Sequence, residues 1–332
     1  MTIRQLAAVL GLSKSTVAYA LRGSAMVSGR TQDFVQRRAR ELGYIPNPVA
    51  SAFLHQVRTN RQEGYRGNLA FLMPVSGKSP YLTHLHEGAE RRARELGYGI
   101  EIIRVDEYNA SRLSHLLQSR GILGVIVGPL PRAVGHMTLD WSKFAVSTYG
   151  YSMVRPAVHR VVHHHSEGIR TIFRMCRRKG FRRIGLALRK EADMRSDRQW
   201  SSEFLGIQHA LPKSERVCPL LVSAAHYSPN KVFQWIVKER TEVVILHTSE
   251  CVTDLIKFSQ KKSVNVAYVV LDRKPNDLWA GIDQQFACCG KLLVDSLSSQ
   301  IFHNERGVPP LPIVSMVNGV WLDHPSLIRQ KP

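Results

Sequence analysis

Acidic side chains are scarce in this chain of 332 residues: 26 Asp and Glu face 46 Lys and Arg, a net charge of +20 at neutral pH. A balance so basic favours polyanionic partners and makes their binding sensitive to salt. Long apolar runs are missing too. No stretch reaches the roughly eighteen residues that a membrane span needs, and the N-terminus lacks the apolar core of a signal peptide. Cysteine is sparse and odd in number: Cys176, Cys218, Cys251, Cys288 and Cys289, none in a C-x-x-C pair. That excludes a disulfide framework and fits a reduced, cytoplasmic protein. Catalytic signatures are absent as well. There is no phosphate-binding G-x-x-x-x-G-K-S/T loop, no G-x-S-x-G elbow and no H-E-x-x-H helix. Gly121–Gly128 (GILGVIVG) is a strand between glycines and lacks the turn of a dinucleotide fingerprint.

What is present is concentrated at the start. In residues 1–54 the spacing predicts two short helices across a glycine turn, then a third. Thr2 with Gln5 fits a capping box. Leu6, Ala7 and Leu10 repeat on one helical face, and Gly11 stands where a helix end wants positive φ. Ser13 caps a second helix, about Lys14 to Leu21. Its Val17, Ala20 and Leu21 point inward, leaving Lys14, Ser15 and Tyr19 outside. Ser28 or Thr31 caps a third helix with Val35, Ala39 and Leu42 inward, ended by Gly43. An ordinary three-helix packing unit would read the same way. A short helix presented across a turn can also enter the DNA major groove. Charge favours the second reading: residues 1–66 hold ten Lys and Arg against three acids, a net +7, leaving +13 on the remainder.

The stretches TIRQLA, GLSKSTVAYALRG, VSGRT and ELGYIPNPVASAFL closely resemble the DNA-binding headpiece of the lactose-repressor (LacI/GalR) family. The resemblance implies that Lys14, Ser15 and Tyr19 read bases. It implies phosphate contacts from Ser13, Thr16, Arg22, Ser28, Thr31 and Tyr44, which set register without carrying sequence information. Two positions depart from the pattern: Ala18 replaces the usual Ser, and Tyr19 stands where Arg is frequent. Tyrosine cannot make arginine's bidentate guanine contact, so the operator should differ at that base.

Asn47-Pro48 opens a further short helix, since proline suits a first helical turn. Its Val49, Ala50, Ala52, Phe53 and Leu54 are too apolar for a solvated linker. By resemblance this is a hinge helix that forms on DNA, with Asn47, Ala50, Phe53 and Leu54 at the minor groove. Phe53 falls at the family's leucine wedge position; packing against a partner hinge is the alternative. His55–Gly67 reads as a polar, basic linker.

The remainder alternates strands and helices. NLAFLMPV, GIEIIRV, ILGVIVGP, FAVSTY, RRIGLAL, VCPLLV, EVVILHT and NVAYVVL have strand length. Helical patterns separate most of them, and a helix near Gln285–Phe302 and a strand near Leu311–Val317 follow. Repeated βα units imply parallel sheets covered on both faces, and two sets imply two lobes with a crevice at the strand C-terminal ends. The basic body surface reads as solvated helix faces, with a second nucleic-acid contact as the rival.

The body resembles the family's periplasmic-binding-protein-like effector domain through SEGIRTIFRMCRRKGFRRIGLAL, FLGIQHAL, VVLD and GIDQQFACCGKLLVDSL. Its departures bear on the ligand. The family's Asp-Asn before the SEG helix is His164-His165, a sugar-clamping arginine falls on Glu203, and an Asn-Asp pair falls on His247-Thr248. The resemblance leaves Asp272 and Gln284 in cleft positions, with Tyr149, Gln199, Trp200 and Trp279 as stacking and polar contacts. Glu203 either meets a cationic or differently hydroxylated ligand or pairs with an arginine. His163-His164-His165 invites a metal, but consecutive residues point different ways and no zinc spacing accompanies them; a strand-to-helix turn is the simpler reading.

The expected fold is α/β. Residues 1–46 form a helix-turn-helix headpiece, 47–66 a hinge helix and linker, and 67–332 a two-lobed body. The N-lobe takes about 67–159 with part of 285–317, and the C-lobe takes 160–284 with the C-terminal segment. The expected function is a homodimeric, sequence-specific repressor on a near-palindromic operator. A small-molecule effector, with carbohydrates among the candidates, controls it through its differential affinity for two states. No cofactor, metal or catalytic residue is expected, and no apolar heptad after Leu327 offers a tetramer helix. The rivals are a constitutive or architectural DNA-binding protein that has lost its ligand, and a cleft enzyme using the histidines and Glu203.

Overall fold

The computed structural model describes residues 3–21, 26–42, 65–73, 80–274 and 276–328, which fall into two compact units, Met1–Glu63 and Gly64–Pro332. In the first unit, α1 (Ile3–Leu10), α2 (Lys14–Leu21) and α3 (Gly29–Glu41) close on one small core. Gly11 takes φ +64°, which lets the Leu12 N–H turn back to the Ala7 carbonyl at 3.1 Å; glycine adopts that conformation at little cost. Ser13 caps α2 by accepting from the Thr16 N–H at 3.0 Å. Ser28, rather than Thr31, caps α3, accepting from the Thr31 N–H at 3.3 Å. Leu6, Val17, Ala20 and Val35 are wholly buried. The Gln36 amide donates to the Ala20 carbonyl at 3.1 Å, satisfying a group that a helix end leaves orphaned. Thr2, Arg22, Gly43, Tyr44 and the hinge residues Asn47, Ala50, Phe53 and Leu54 lie outside the described residues.

The second unit holds two six-stranded sheets. The first is built from β1 (Gly67–Met73), β2 (Tyr98–Arg104), β3 (Ile122–Val127), β5 (Ala145–Tyr149), β7 (His159–His163) and β13 (Val314–Val317). Their order is β13-β7-β5-β3-β1-β2, all parallel. A small ladder, β4 (Gly135–His136) with β6 (Met153–Arg155), stands apart. The second sheet contains β8 (Ile184–Arg189), β9 (Leu220–Val222), β10 (Val243–Leu246), β11 (Ala267–Val270), β12 (Ala280–Asp283) and β14 (Val320–Leu322), in the order β14-β12-β11-β10-β8-β9. Only its β12–β14 pair is antiparallel. Every residue of β10 and β11 is buried, the signature of parallel strands covered on both faces.

Helices supply the cover. On the first sheet, α4 (Pro80–Glu95) and α11 (Phe286–Phe302) share one core with one face, and α5 (Ala110–Ser119) lies in the core of the other. On the second, α6 (His165–Arg178), α7 (Lys190–Arg195) and α8 (Gln199–Ala210) share one core, while α9 (Pro229–Glu239) and α10 (Val252–Lys261) share another. Gln300 on α11 anchors to β5 through both the N–H (2.9 Å) and the C=O (3.2 Å) of Val146, so a buried amide is satisfied on both sides.

Among the described residues the chain passes between the lobes three times, at His164, between β12 and α11, and at Asn318-Gly319. The first and third crossings are tied together: the His164 N–H donates to the Val317 carbonyl at 2.9 Å, and its Nδ1 lies 2.9 Å from Asn318 Oδ1. The first crossing lies beyond the expected lobe boundary near 159. His159–His163 extends the N-lobe instead, because Val161 and Val162 are buried in its sheet and pair with β5 and β13.

Candidate functional site

In the first unit, the residues that point away from the core form a short polar face on α2. Lys14 and Ser15 are exposed and Tyr19 is half-exposed. Ser15 and Tyr19 stand one helical turn apart, so they share a face. Ser13 Oγ lies 2.8 Å from Thr16 Oγ1 and 3.0 Å from Ser15 Oγ, a hydroxyl cluster at the helix start. Ser28 and Thr31 make a second cluster at the start of α3, their hydroxyls 2.9 Å apart. Arg30, Arg37 and Arg38 are exposed on α3, where Arg38 pairs with Glu41 at 2.8 Å.

In the second unit, a cavity of about 580 Å³ opens where the C-terminal ends of both sheets meet. Strand ends supply its wall: Tyr149 ends β5, His163 ends β7, Arg189 ends β8, His247 follows β10, Asp272 follows β11 and Asp283 ends β12. That is where a doubly wound sheet leaves a crevice. Aromatic rings run through it in unbroken contact. Tyr81 on α4 meets Phe286 at 5.5 Å between ring centres, and Phe286 meets His163 at 4.9 Å. His163 meets Tyr149 and His165, each at 5.6 Å. His165 then meets Trp200 at 4.6 Å, and Trp200 meets His247 at 5.2 Å. Two contacts bridge the lobes beside these rings. Arg195 donates to the carbonyls of Leu130 and Pro131, and the Gln199 amide reaches the Tyr151 hydroxyl.

No protein-family model matches the chain. Among curated proteins it is similar to the HTH-type transcriptional regulator PtxS of Pseudomonas plecoglossicida, 29% identical over 140 residues, which is 41% of this chain and 38% of that protein. It is also similar to the ribose operon repressor of Lactococcus lactis, 28% identical over 115 residues, covering 35% of this chain and 32% of that one. The chain thus matches about a third of the length of these curated relatives, which are regulators by name. Among solved structures, the lac repressor dimer bound to operator and the anti-inducer ONPF aligns over 99% of both chains, with a TM-score of 0.56 and 15% identity. The transcriptional regulator CelR in complex with cellobiose aligns over 98% of this chain and 99% of that one, with a TM-score of 0.55 and 16% identity. The fold is that of the LacI-type regulators.

On this LacI-type body, the cavity wall gathers Tyr149, Trp200, Asp272 and Gln284 from the residues that the sequence nominated. Gln199, Glu203 and Trp279 are not in that wall. Gln199 serves the lobe bridge to Tyr151. The Glu203 carboxylate is held by Arg170 Nη1 at 2.8 Å, and Arg170 also binds Glu167 at 2.8 Å. The Trp279 carbonyl accepts from Arg273 at 2.8 Å while its ring packs beside Tyr268. The wall also holds Tyr81, Phe286 and Lys274, which the sequence did not single out, and His163, His165 and His247, which it raised only as a metal or acid–base candidate and as departures from the family's motifs. Lys274 apart, their signal was position, at or next to a strand end or helix start, and only the three-dimensional topology reveals which ends converge.

The three consecutive histidines diverge as their backbone turns. His163 Nε2 lies 2.6 Å from the Tyr149 hydroxyl and its Nδ1 lies 3.5 Å from Cys289 Sγ. His164 faces Asn318 and Arg170, and His165 packs on Trp200. Among the described residues, no group of three His, Cys, Asp or Glu is placed to hold a metal ion.

Burial sets the charge state of this wall. It lowers His163 and His247 to about 4 and drives His165 well below its ordinary value, helped by its histidine neighbours. Burial also raises Asp272 to about 6, against the pull of Lys274. The unfolded chain therefore binds more protons at these histidines as the pH drops below about 6.5, and the fold loses stability down to about 4. Asp272 acts oppositely between about 6 and 3.8, because there the folded state holds the proton. Three imidazoles outweigh one carboxyl. The melting temperature of the body should fall by about 5 °C or more between pH 7.5 and pH 5. A melt that is unchanged or higher at pH 5 would mean that these imidazoles are open to water.

Proposed function

We propose that the chain is a sequence-specific DNA-binding transcription regulator, a repressor that works as a homodimer on a near-palindromic operator in the cytoplasm. A small molecule bound between the lobes of its body sets its state. The observation that carries this reading is one chain with both parts. A capped helix presents Lys14, Ser15 and Tyr19 away from its core, and a separate unit holds a formed cleft at converging strand ends. Lys14, Ser15 and Tyr19 read base edges. Ser13, Thr16, Arg22, Ser28, Thr31 and Tyr44 hold phosphates, and the Asn47–Leu54 segment with Phe53 wedges the minor groove. Arg195 and Gln199 tie the lobes together beside the cleft, which supports effector control: a ligand between the lobes shifts their arrangement by its differential affinity for the alternatives. The rival of a body that has lost its ligand is disfavoured by a cavity large enough for a small molecule. A catalytic role is disfavoured by His163, whose two ring nitrogens face the Tyr149 hydroxyl and Cys289, and by His165, whose ring packs against Trp200.

Selection from random duplex DNA by the purified protein tests the reading. A recovered palindrome is expected, and recovery without consensus, with and without candidate effectors, would overturn it. Tyr19→Ala should relax the preference at one base pair of each half-site, costing about 1–3 kcal/mol there. A uniform loss over all sequences would remove Tyr19 from base readout.

A further inference from the structure

The two side chains that tie the lobes together come from one short turn. Arg195 ends α7 and Gln199 begins α8. Between them, Asp197 and Arg198 take φ +55° and +57°, side by side. That is the left-handed region, where a β-carbon is crowded and glycine is not. Aspartate visits it on occasion, a long side chain seldom. Both residues are exposed, so core packing does not impose the conformation. Such backbone persists only where its surroundings over-determine it.

Asp193, on α7 and buried, supplies the determination. Its carbonyl accepts from the Arg198 N–H at 2.9 Å and from the Ser196 hydroxyl at 2.8 Å. Its carboxylate accepts from the Ser201 N–H at 3.1 Å and from the Ser201 hydroxyl at 2.7 Å. Ser201 is the third residue of α8, whose cap position falls on Arg198 and carries no side-chain cap. An aspartate of the preceding helix therefore satisfies a donor that a capping side chain would otherwise take, and it staples both ends of the turn. The receiving side is prepared as well. Arg195 donates to the Leu130 carbonyl at 3.1 Å and to the Pro131 carbonyl. The Leu130 N–H donates to the buried Ser152 hydroxyl at 2.9 Å. Ser152 follows Tyr151, whose hydroxyl accepts from Gln199 and whose ring lies 5.9 Å from the Arg160 guanidinium. One buried hydroxyl thus joins the two N-lobe segments that Arg195 and Gln199 grasp.

We infer that Asp193 is a positioning residue for a clasp between the lobes: it holds the α7–α8 turn in the left-handed conformation from which Arg195 and Gln199 reach the N-lobe, and the clasp favours the closed arrangement of the body. The regulatory meaning of the clasp rests on the proposed effector control. Its contacts set the starting balance between arrangements that an effector then shifts by differential affinity.

Distance measurement between two nitroxides on the full-length protein tests it. One label goes on Cys218, exposed in the C-lobe, and one on Val134→Cys, exposed in the N-lobe, with Cys288, also exposed, replaced by serine. Dilution with unlabelled chain keeps the reading within one protomer. The parent protein should give one narrow distribution. Arg195→Ala with Gln199→Ala should raise a second, displaced population about tenfold, the effect on an equilibrium of losing one good contact to a charged donor. Asp193→Ala should raise the same population, although both clasp side chains remain. Adding Asp197→Gly and Arg198→Gly to Asp193→Ala should restore the narrow distribution, because glycine holds positive φ without a staple; damage to packing would not be mended that way. If Asp193→Ala does not fold, Ser201→Ala, which deletes only the 2.7 Å bond, should give a smaller shift in the same direction. Unmoved distances in the Arg195/Gln199 variant or in a folded Asp193 or Ser201 variant overturn the inference, and so does an Asp193→Ala shift that the glycines leave in place. Operator affinity stays separate: displaced lobes with unchanged operator binding sink effector control alone, and fixed lobes beside a consensus operator sink the clasp alone.

Discussion

Leu6→Ala should abolish DNA binding while the melt of the second unit stays where it was. Leu6 is wholly buried in a core that, among the described residues, holds five other buried apolar side chains: Ala7, Val17, Ala20, Val35 and Ala39. Three of those are alanines, so Leu6 supplies a large share of the apolar surface that the three helices hide. Removing a buried leucine costs about 2–5 kcal/mol, through lost transfer energy and the cavity left behind. A unit of this size rarely has more than about 3–5 kcal/mol in total. The substitution therefore removes most or all of its stability, and Lys14, Ser15 and Tyr19 lose their common face. Calorimetry should show the small transition gone and the large one unmoved, since the two units are separately compact. A mobility-shift assay should show no operator complex. Wild-type affinity in the Leu6→Ala protein would mean that DNA is held elsewhere on this basic chain.

Gly290→Ala should be the most damaging single methyl group in the second unit. At Gly290 on α11, a β-carbon would sit 2.0 Å from the Leu85 carbonyl oxygen and 2.7 Å from the Ala89 nitrogen of α4. At Gly88 on α4 the relation is reciprocal, with the Ala287 carbonyl oxygen 2.1 Å away. Two helix backbones touch at paired glycines, and backbone cannot swing aside as a side chain does. Overpacking costs about 1–3 kcal/mol when side chains can shift, and more when they cannot. The cost is shared by Arg92–Asp295, the 2.6 Å ion pair that bridges the same helices, and by the Gln300 anchor on β5. A fall in melting temperature of about 10 °C is expected, at about 2–4 °C per kcal/mol for a domain of this size. Gly206→Ala is the control: it lies exposed within α8, with nothing within 4 Å of the added carbon. There alanine should raise the melt, by about 1 kcal/mol of helix propensity. Equal effects at the two positions would mean that α4 and α11 do not meet at their glycines.

The first unit was readable because its signals are local. Gly11, Ser13 and Ser28 act on backbone groups within five residues of themselves, so their meaning survives in a linear text. Strands buried on both faces, such as VVIL in β10, were equally plain. Those that join the lobes were not. His159–His163 and Ala280–Asp283 are interrupted by polar residues or glycine, because their ends line the cleft and do not fill a core.

The sequence alone determined the turn between the first two helices, which helix faces are apolar, and that one end of the chain is a small basic helical unit. Those properties depend on hydrogen bonds and periodicities spanning a few residues. Tertiary structure decided the cleft. Seven rings drawn from positions 81 to 286 meet there, while Glu203, which the sequence left open between a ligand and an arginine, is held by Arg170, 33 residues before it. No local pattern encodes such pairings, because parallel sheets bring strand ends together through crossovers whose length erases sequence proximity. Burial then fixed the protonation of His163, His165 and His247, a property of the surrounding low dielectric that no residue carries by itself.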